Sequence, residues 1–153
     1  VVAQDSYLTF SDKGTSVNYM LADLSVIPVV PDLKQVPPFD SEITLDDEFT
    51  NRFIKSKGAL NESDTFTFTC TGGKGEVVLG YSTINTNRIS MNVECKCETD
   101  IKPISFSAKY LKEILMANKG SKSATLKIAS AGLAYCSFER DGLVSKYFLV
   151  EIK

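Results

Sequence analysis

The chain has 153 residues, 43% hydrophobic and 24% charged, with a formal net charge of -2, which suits one ordinary globular domain and a little more. No apolar run reaches the roughly 20 residues of a membrane span, so no integral membrane protein is expected. Histidine is absent, which removes the commonest general base, the usual zinc ligand and any Ser-His or Cys-His pair.

In chain order, the first segment opens Val1-Val2-Ala3-Gln4, with no charged n-region and no signal-peptide core. Residues 1–24 read as two or three strands, including Tyr7-Leu8-Thr9-Phe10 and Val17-Asn18-Tyr19-Met20-Leu21, turned at Asp12-Lys13-Gly14. Residues 25–41 hold the run Val26-Ile27-Pro28-Val29-Val30-Pro31 and continue to Pro37-Pro38-Phe39. These prolines oppose both helix and central strand, so the segment reads as an extended connector. It is unusually apolar for a linker, which suits a strap packed along its own domain or one wall of a peptide groove.

From residue 42 onward one unit occurs twice. Ile43-Thr44-Leu45-Asp46-Asp47-Glu48-Phe49 aligns with Ile104-Ser105-Phe106-Ser107-Ala108-Lys109-Tyr110: a short alternating strand, an N-cap (Asp46, Ser107), then a helix. Further on, Phe66 to Gly72 aligns with Leu126 to Gly132, a period of roughly 60 residues, longer than solenoid repeats. The first copy spans 42–100, with strands expected at 65–71, 76–82 and 88–98. The second spans 101–153, with a helix to about Asn118 and strands at 124–130, 133–139 and 143–152. The fold class is therefore α+β: two β-α-β-β-β repeats with two helices on one face of an antiparallel sheet.

The Gly72-Gly73-Lys74-Gly75 segment lacks the Gly-x4-Gly-Lys-Ser/Thr pattern and precedes a strand, so it reads as a hairpin turn and not a phosphate loop. No spacing brings two carboxylates together as glycosidase chemistry requires. The four cysteines, Cys70, Cys95, Cys97 and Cys136, fall in strand-like segments, and alternation turns Cys95 and Cys97 inward with Met91 and Val93. A four-cysteine metal site or a disulfide is the alternative. The spacing fits neither a CxxC knuckle nor a secreted framework, so reduced intracellular thiols, with no metal and no cofactor, are expected.

Helical periodicity gives the first helix a core side of Phe49, Phe53 and Leu60, with Asn51, Arg52 and Lys55 on or near the opposite side. In the second, Tyr110, Leu111, Ile114 and Leu115 form the expected core stripe, while Lys109, Lys112 and Lys119 lie opposite with Met116 among them. Such faces are often merely solvated. Two of them, both basic and side by side on an acidic chain, suggest a surface that touches phosphates without reading bases. No stacked aromatics are expected beside these lysines, which argues against a single-strand platform.

The stretch Phe106-Ser107-Ala108-Lys109-Tyr110-Leu111-Lys112, the strand at Ala124-Thr125-Leu126-Lys127-Ile128 and the ending Gly142 to Val150 resemble the C-terminal repeat of DNA sliding clamps, the processivity-factor family that includes proliferating cell nuclear antigen and tailed-phage trimeric clamps. The order of connector and two repeats fits that plan over nearly the whole chain. The resemblance implies a non-enzymatic ring, a trimer in the whole protein, that encircles duplex DNA and tethers DNA polymerase and clamp-loader peptides. It implies that Asn51, Arg52, Lys55, Lys109, Lys112 and Lys119 face the DNA backbone. It also implies a partner-peptide pocket at Val26, Ile27, Val29, Val30, Leu133, Phe148, Val150 and Ile152. Where animal and archaeal clamps carry Pro-Lys near the last strand, Val150-Glu151-Ile152 stands here, which points to a phage-type clamp in the cytoplasm of an infected bacterial cell. Clamp subunits have two such domains, so residues 1–24 are expected to be remnant strands of a first domain and the chain a C-terminal portion, with an exposed sheet edge near its start. The alternative is a clamp-like accessory protein that forms no ring and binds duplex DNA directly. A hydrolase using an unrecognised Asp or Ser has no motif behind it.

Overall fold

A computed structural model describes residues 1–26, 29, 35–82, 84, 87–97 and 99–153. The chain divides into two compact units, Val1–Val36 and Pro37–Lys153. In the first, β1 (Val2–Ala3), β2 (Tyr7–Asp12) and β3 (Thr15–Met20) form an antiparallel sheet in that order. The β2–β3 turn places Lys13 and Gly14 at φ 44° and 84°, the left-handed conformations a two-residue hairpin requires. Every residue of β3 is exposed, and a short 3-10 turn follows at Leu24–Val26.

The second unit holds the duplicated elements. The first copy is β4 (Ser41–Thr44), α1 (Asp47–Ala59), β5 (Thr65–Thr71), β6 (Lys74–Leu79) and β7 (Ile89–Cys97). The second is β8 (Ile101–Ser107), α2 (Ala108–Ala117), β9 (Ser123–Ala129), β10 (Leu133–Arg140) and β11 (Leu143–Val150). Eight strands form one sheet in the order β11-β10-β9-β4-β7-β6-β5-β8, and each adjacent pair is antiparallel.

This order contains an exchange. Each copy forms its own three-stranded meander and lends its first strand to the other: β4 pairs with β9, and β8 pairs with β5. The two copies thus interlock about an approximate two-fold axis. One seam is the β4–β7 ladder, with Ile43 opposite Cys95 and Ser41 opposite Cys97. At its counterpart, the chain just beyond β11 meets β8, where Ile152 N donates to Ser105 O at 2.8 Å. Pro103 sits inside β8 because the ladder is irregular there: Phe68 faces Ile104 and Cys70 faces Ile101, so two β8 residues oppose one in β5. A bulge of this kind accommodates a residue with no N–H to donate.

Both helices start on side-chain caps, with Asp46 Oδ1 accepting from Phe49 N at 2.7 Å and Ser107 Oγ from Tyr110 N at 3.2 Å. Asp47 and Glu48 complement the positive end of α1, and at its other end the buried Lys57 reaches out so that Nζ donates to Asn61 O at 2.8 Å. The helices lie side by side and share one core with the inner faces of both meanders. An aromatic row runs through it. Phe49 stacks on Phe53 at 6.0 Å, Phe53 meets Phe66 edge-on at 5.6 Å, and Phe66 tilts against Phe106 at 5.6 Å, which ties α1 and β5 of one copy to β8 of the other.

Entry into β4 is fixed by Asp40, whose Oδ2 accepts from both the N–H and the hydroxyl of Ser130 at 2.6 Å, while Asp40 N donates to Ile128 O at 2.9 Å. The Ser130 hydroxyl and then its N–H hold the Asp40 carboxyl below the usual carboxylate range. A depressed carboxyl contributes stability above its unfolded pKa and loses it as pH falls through the folded value. Asp40→Asn is therefore expected to cost about 1 kcal/mol or less near pH 7, after solvent screening. The gap to wild type should close below about pH 4. Urea melts of both proteins at several pH values check this.

Candidate nucleic-acid interface and partner surface

The outer sides of α1 and α2 carry the cations that the sequence singles out. Asn51, Arg52 and Lys55 are exposed on α1, opposite the buried Phe49, Phe53 and Lys57. Lys109 is exposed and Lys112 half-buried on α2, and Lys119 is exposed just past the Asn118 C-cap. Because the helices are neighbours, these residues belong to one layer. The layer is mixed in sign: Asp47, Glu48 and Glu113 are also exposed there, and Glu48 pairs with Arg52 at 3.5 Å. A solvated (i, i+4) pair of this kind contributes at most about 0.5 kcal/mol, so it leaves Arg52 free to exchange partners.

One expectation is corrected. Tyr110 does not belong to the core stripe; it is 62% exposed. The buried side of α2 is Ala108, Leu111, Ile114 and Leu115, and the 100° step from Lys109 turns Tyr110 to the rim of the outer face. One exposed ring, Tyr110, therefore follows Lys109 on that surface.

The outward side of the sheet is different in chemistry. Between β7, β4 and β9, Glu42 lies opposite both Lys96 and Lys127 in register, and accepts ion pairs from them at 3.7 and 3.0 Å. The hydrogen bond from Lys127 is the main cause that lowers the Glu42 pKa. Toward β10 and β11 the surface becomes apolar. Leu133 lies opposite Val150, and Tyr135 opposite Phe148. Tyr135 contacts Phe148 at 5.0 Å between ring centres and Phe39 at 5.7 Å. Leu133 is buried, whereas Phe148, Val150 and Ile152 are exposed.

Of the expected pocket residues, Leu133, Phe148 and Val150 therefore share one side of the β10–β11 ladder, and Ile152 follows at its end. Val26 and Val29 are exposed residues of the first unit, and Ile27 and Val30 lie outside the described residues. Phe39 and Tyr135 join this apolar surface without having been singled out in the sequence. Alternation along Leu133-Ala134-Tyr135 put Tyr135 on the Leu133 side, but nothing local placed Phe39 against it.

Three of the four cysteines converge. Cys70 Sγ lies 3.6 Å from Cys95 Sγ, which lies 3.2 Å from Cys97 Sγ. Burial, followed by the neighbouring Cys70, raises the Cys97 thiol; burial and Cys70 also raise Cys95, against a lowering bond from Cys97. Cys136 is apart and buried, and burial pushes its thiol up to about 12.

Among the described residues no helix is long and apolar enough to cross a membrane. No protein-family model matches the chain, and no curated protein matches it. Solved structures do. The chain is similar to proliferating cellular nuclear antigen from Entamoeba histolytica, with a TM-score of 0.67 and 18% identity over 97% of this chain and 60% of that one. It is similar to the same extent, TM-score 0.67 at 19% identity, to a structure of the C-terminal region of FEN-1 bound to A. fulgidus PCNA, with all of this chain and 62% of that one covered. The chain thus spans about three fifths of the length of both. With its exchanged first strands, paired helices and eight-stranded sheet, the chain has the PCNA-like sliding-clamp fold.

Proposed function

We propose that the chain is part of a non-enzymatic DNA sliding clamp, whose paired helices face duplex DNA and whose outer sheet docks partner peptides. The observation that carries this reading is the division of labour between two surfaces of one duplicated unit. Cations sit on the helix layer, and an apolar aromatic surface lies across β10 and β11.

The helix layer suits sliding. Lys55, Lys109, Lys112 and Lys119 are flexible point charges with three donors each, interspersed with Glu48 and Glu113, so phosphate contacts are weak and exchangeable. A ring tolerates such weakness because topology, not affinity, retains it. Residues 1–24 act as the last strands of a preceding clamp domain, residues 25–41 as the connector and residues 42–153 as a complete domain. The whole protein is then a homotrimer whose partners are DNA polymerase and clamp-loader peptides. The Val150-Glu151-Ile152 ending favours a phage-type clamp working inside an infected cell.

Linear duplex DNA titrated across a salt series tests the reading. A clamp portion without its loader binds linear DNA weakly even at low salt. Tight binding, with an affinity that falls steeply as salt rises, would instead identify an accessory protein that grips DNA directly.

A further inference from the structure

Cys70, Cys95 and Cys97 come together through a gap in the sheet. Cys70 in β5 lies opposite Gly75 in β6, which lies opposite Val93 in β7, so Cys70 and the β7 cysteines are two strands apart. Gly75 is buried, and a Cβ there would stand 2.8 Å from Cys95 Sγ and 2.8 Å from Val93 Cγ2. Only the missing side chain lets the thiols lean toward each other over the middle strand. The three sulfurs all lie within 4.8 Å of one another.

A disulfide does not suit this arrangement. Backbones two strands apart are separated by roughly 9 Å, beyond the ~7 Å at which a disulfide closes without backbone movement. Residues i and i+2 of one strand, as Cys95 and Cys97 are, stand about 6.6 Å apart, at the edge of the allowed range, and pairing them would leave Cys70 out. One ion shared by three sulfurs needs no such approach. With metal–sulfur bonds of about 2.3 Å, sulfurs around a tetrahedral or trigonal ion sit about 3.8–4.0 Å apart. The observed separations, 3.2 and 3.6 Å for the two nearest pairs, reach that spacing with small rotamer changes.

We propose that Cys70, Cys95 and Cys97 bind one thiophilic metal ion, Zn2+ or Cu+, through three thiolates. Thiolates select these soft or borderline ions over Mg2+ or Ca2+. Access is open, because Cys95 lines a surface hollow of about 450 Å3 with Gly73, Lys74, Gly75 and Val93. Solvent there supplies a fourth ligand to Zn2+, whereas Cu+ is complete with three sulfurs. Binding exchanges each S–H proton for a metal–sulfur bond, with no change of oxidation state. The ion would clip β5 to β7 across β6, within the first copy's meander, at the point where β7 passes from pairing β6 to pairing β4.

The test titrates the fully reduced chain with Zn2+ and, separately and anaerobically, with Cu+, following ultraviolet thiolate-to-metal absorption and proton release. The expected result is one ion bound per chain, with about three protons released per ion. Zn2+ alone, or Cu+ alone, distinguishes tetrahedral from trigonal use of the site, and either supports it. Cys97→Ser and Cys95→Ser, checked for folding by circular dichroism, should weaken binding at least about tenfold, and Cys136→Ser should not. The proposal is overturned if neither ion gives both signals with the wild-type chain. It is also overturned if Cys136→Ser abolishes binding while folded Cys95→Ser and Cys97→Ser retain it.

Discussion

Phe66→Ala is expected to destabilise the second unit by about 3–5 kcal/mol, the range for removing a buried aromatic ring. Phe66 has no exposed surface and lies between Phe53 of α1 and Phe106 of β8. The substitution therefore deletes the middle of the row that joins the two copies, and leaves a cavity bounded by three elements that cannot all collapse into it. Against a total stability of about 5–15 kcal/mol, this loss brings the domain near its unfolding threshold. Leu143→Ala is the matched control: Leu143 is 75% exposed at the start of β11, and its loss should stay within about 0.5 kcal/mol. Urea unfolding of both variants, with the slope checked against wild type, separates a lost ring from a changed denatured state.

Reversal of charge on the helix layer, Lys55→Glu with Lys109→Glu and Lys112→Glu, is expected to leave the melting transition within a few degrees of wild type. Lys55 and Lys109 are exposed and Lys112 is half-buried, and none of the three belongs to the core. The same variant should lose most of its low-salt affinity for duplex DNA. Each phosphate contact removed should lower the slope of log affinity against log salt by about 0.9. Reversal of two charges on the sheet side, Lys96→Glu with Lys127→Glu, breaks the Glu42 pairs but should leave that slope unchanged. If the sheet-side variant loses affinity and the helix variant does not, the assignment of faces is wrong.

The local rules were strong where the chain makes local structure. Asp46 and Ser107 read as N-caps from residue type and spacing, and both accept the expected backbone N–H. Alternation through Thr65-Phe66-Thr67-Phe68 set strand and face together, because period 2 leaves only one way to bury both rings. What sequence could not supply was pairing between distant segments. The exchange of β4 and β8 depends on which edge each first strand finds, and neither strand encodes its neighbour. The Phe39–Tyr135–Phe148 contact is of the same kind, since it joins the approach to β4 to the outer face of a distant hairpin.

Tyr110 shows a different failure. An aromatic three residues after an N-cap matches Phe49 in the first copy, and the repeat itself suggested a common buried role. Phe49 is 7% exposed and Tyr110 62%. The burial of α2 is shifted toward Ala108 and Leu111, and a phenol at the rim keeps its hydroxyl in water. Likewise, alternation put Cys95 and Cys97 on one face, yet their meeting with Cys70 required Gly75 to be empty across the sheet. In sequence, Gly75 groups with the turn glycines Gly72 and Gly73. It lies in β6 instead, paired with Cys70, and only the other two take the left-handed conformation of the hairpin loop.

Whether the helix layer is the face that meets DNA can be read residue by residue. Backbone amide chemical shifts of the chain, recorded while a short duplex is added at low ionic strength, report every contact at once. Changes are expected only in α1, α2 and the turn after α2, centred on Asn51, Arg52, Lys55, Lys109, Lys112 and Lys119. Changes centred on Glu42, Lys96, Lys127 and the outer strands, with the helices silent, would contradict that assignment.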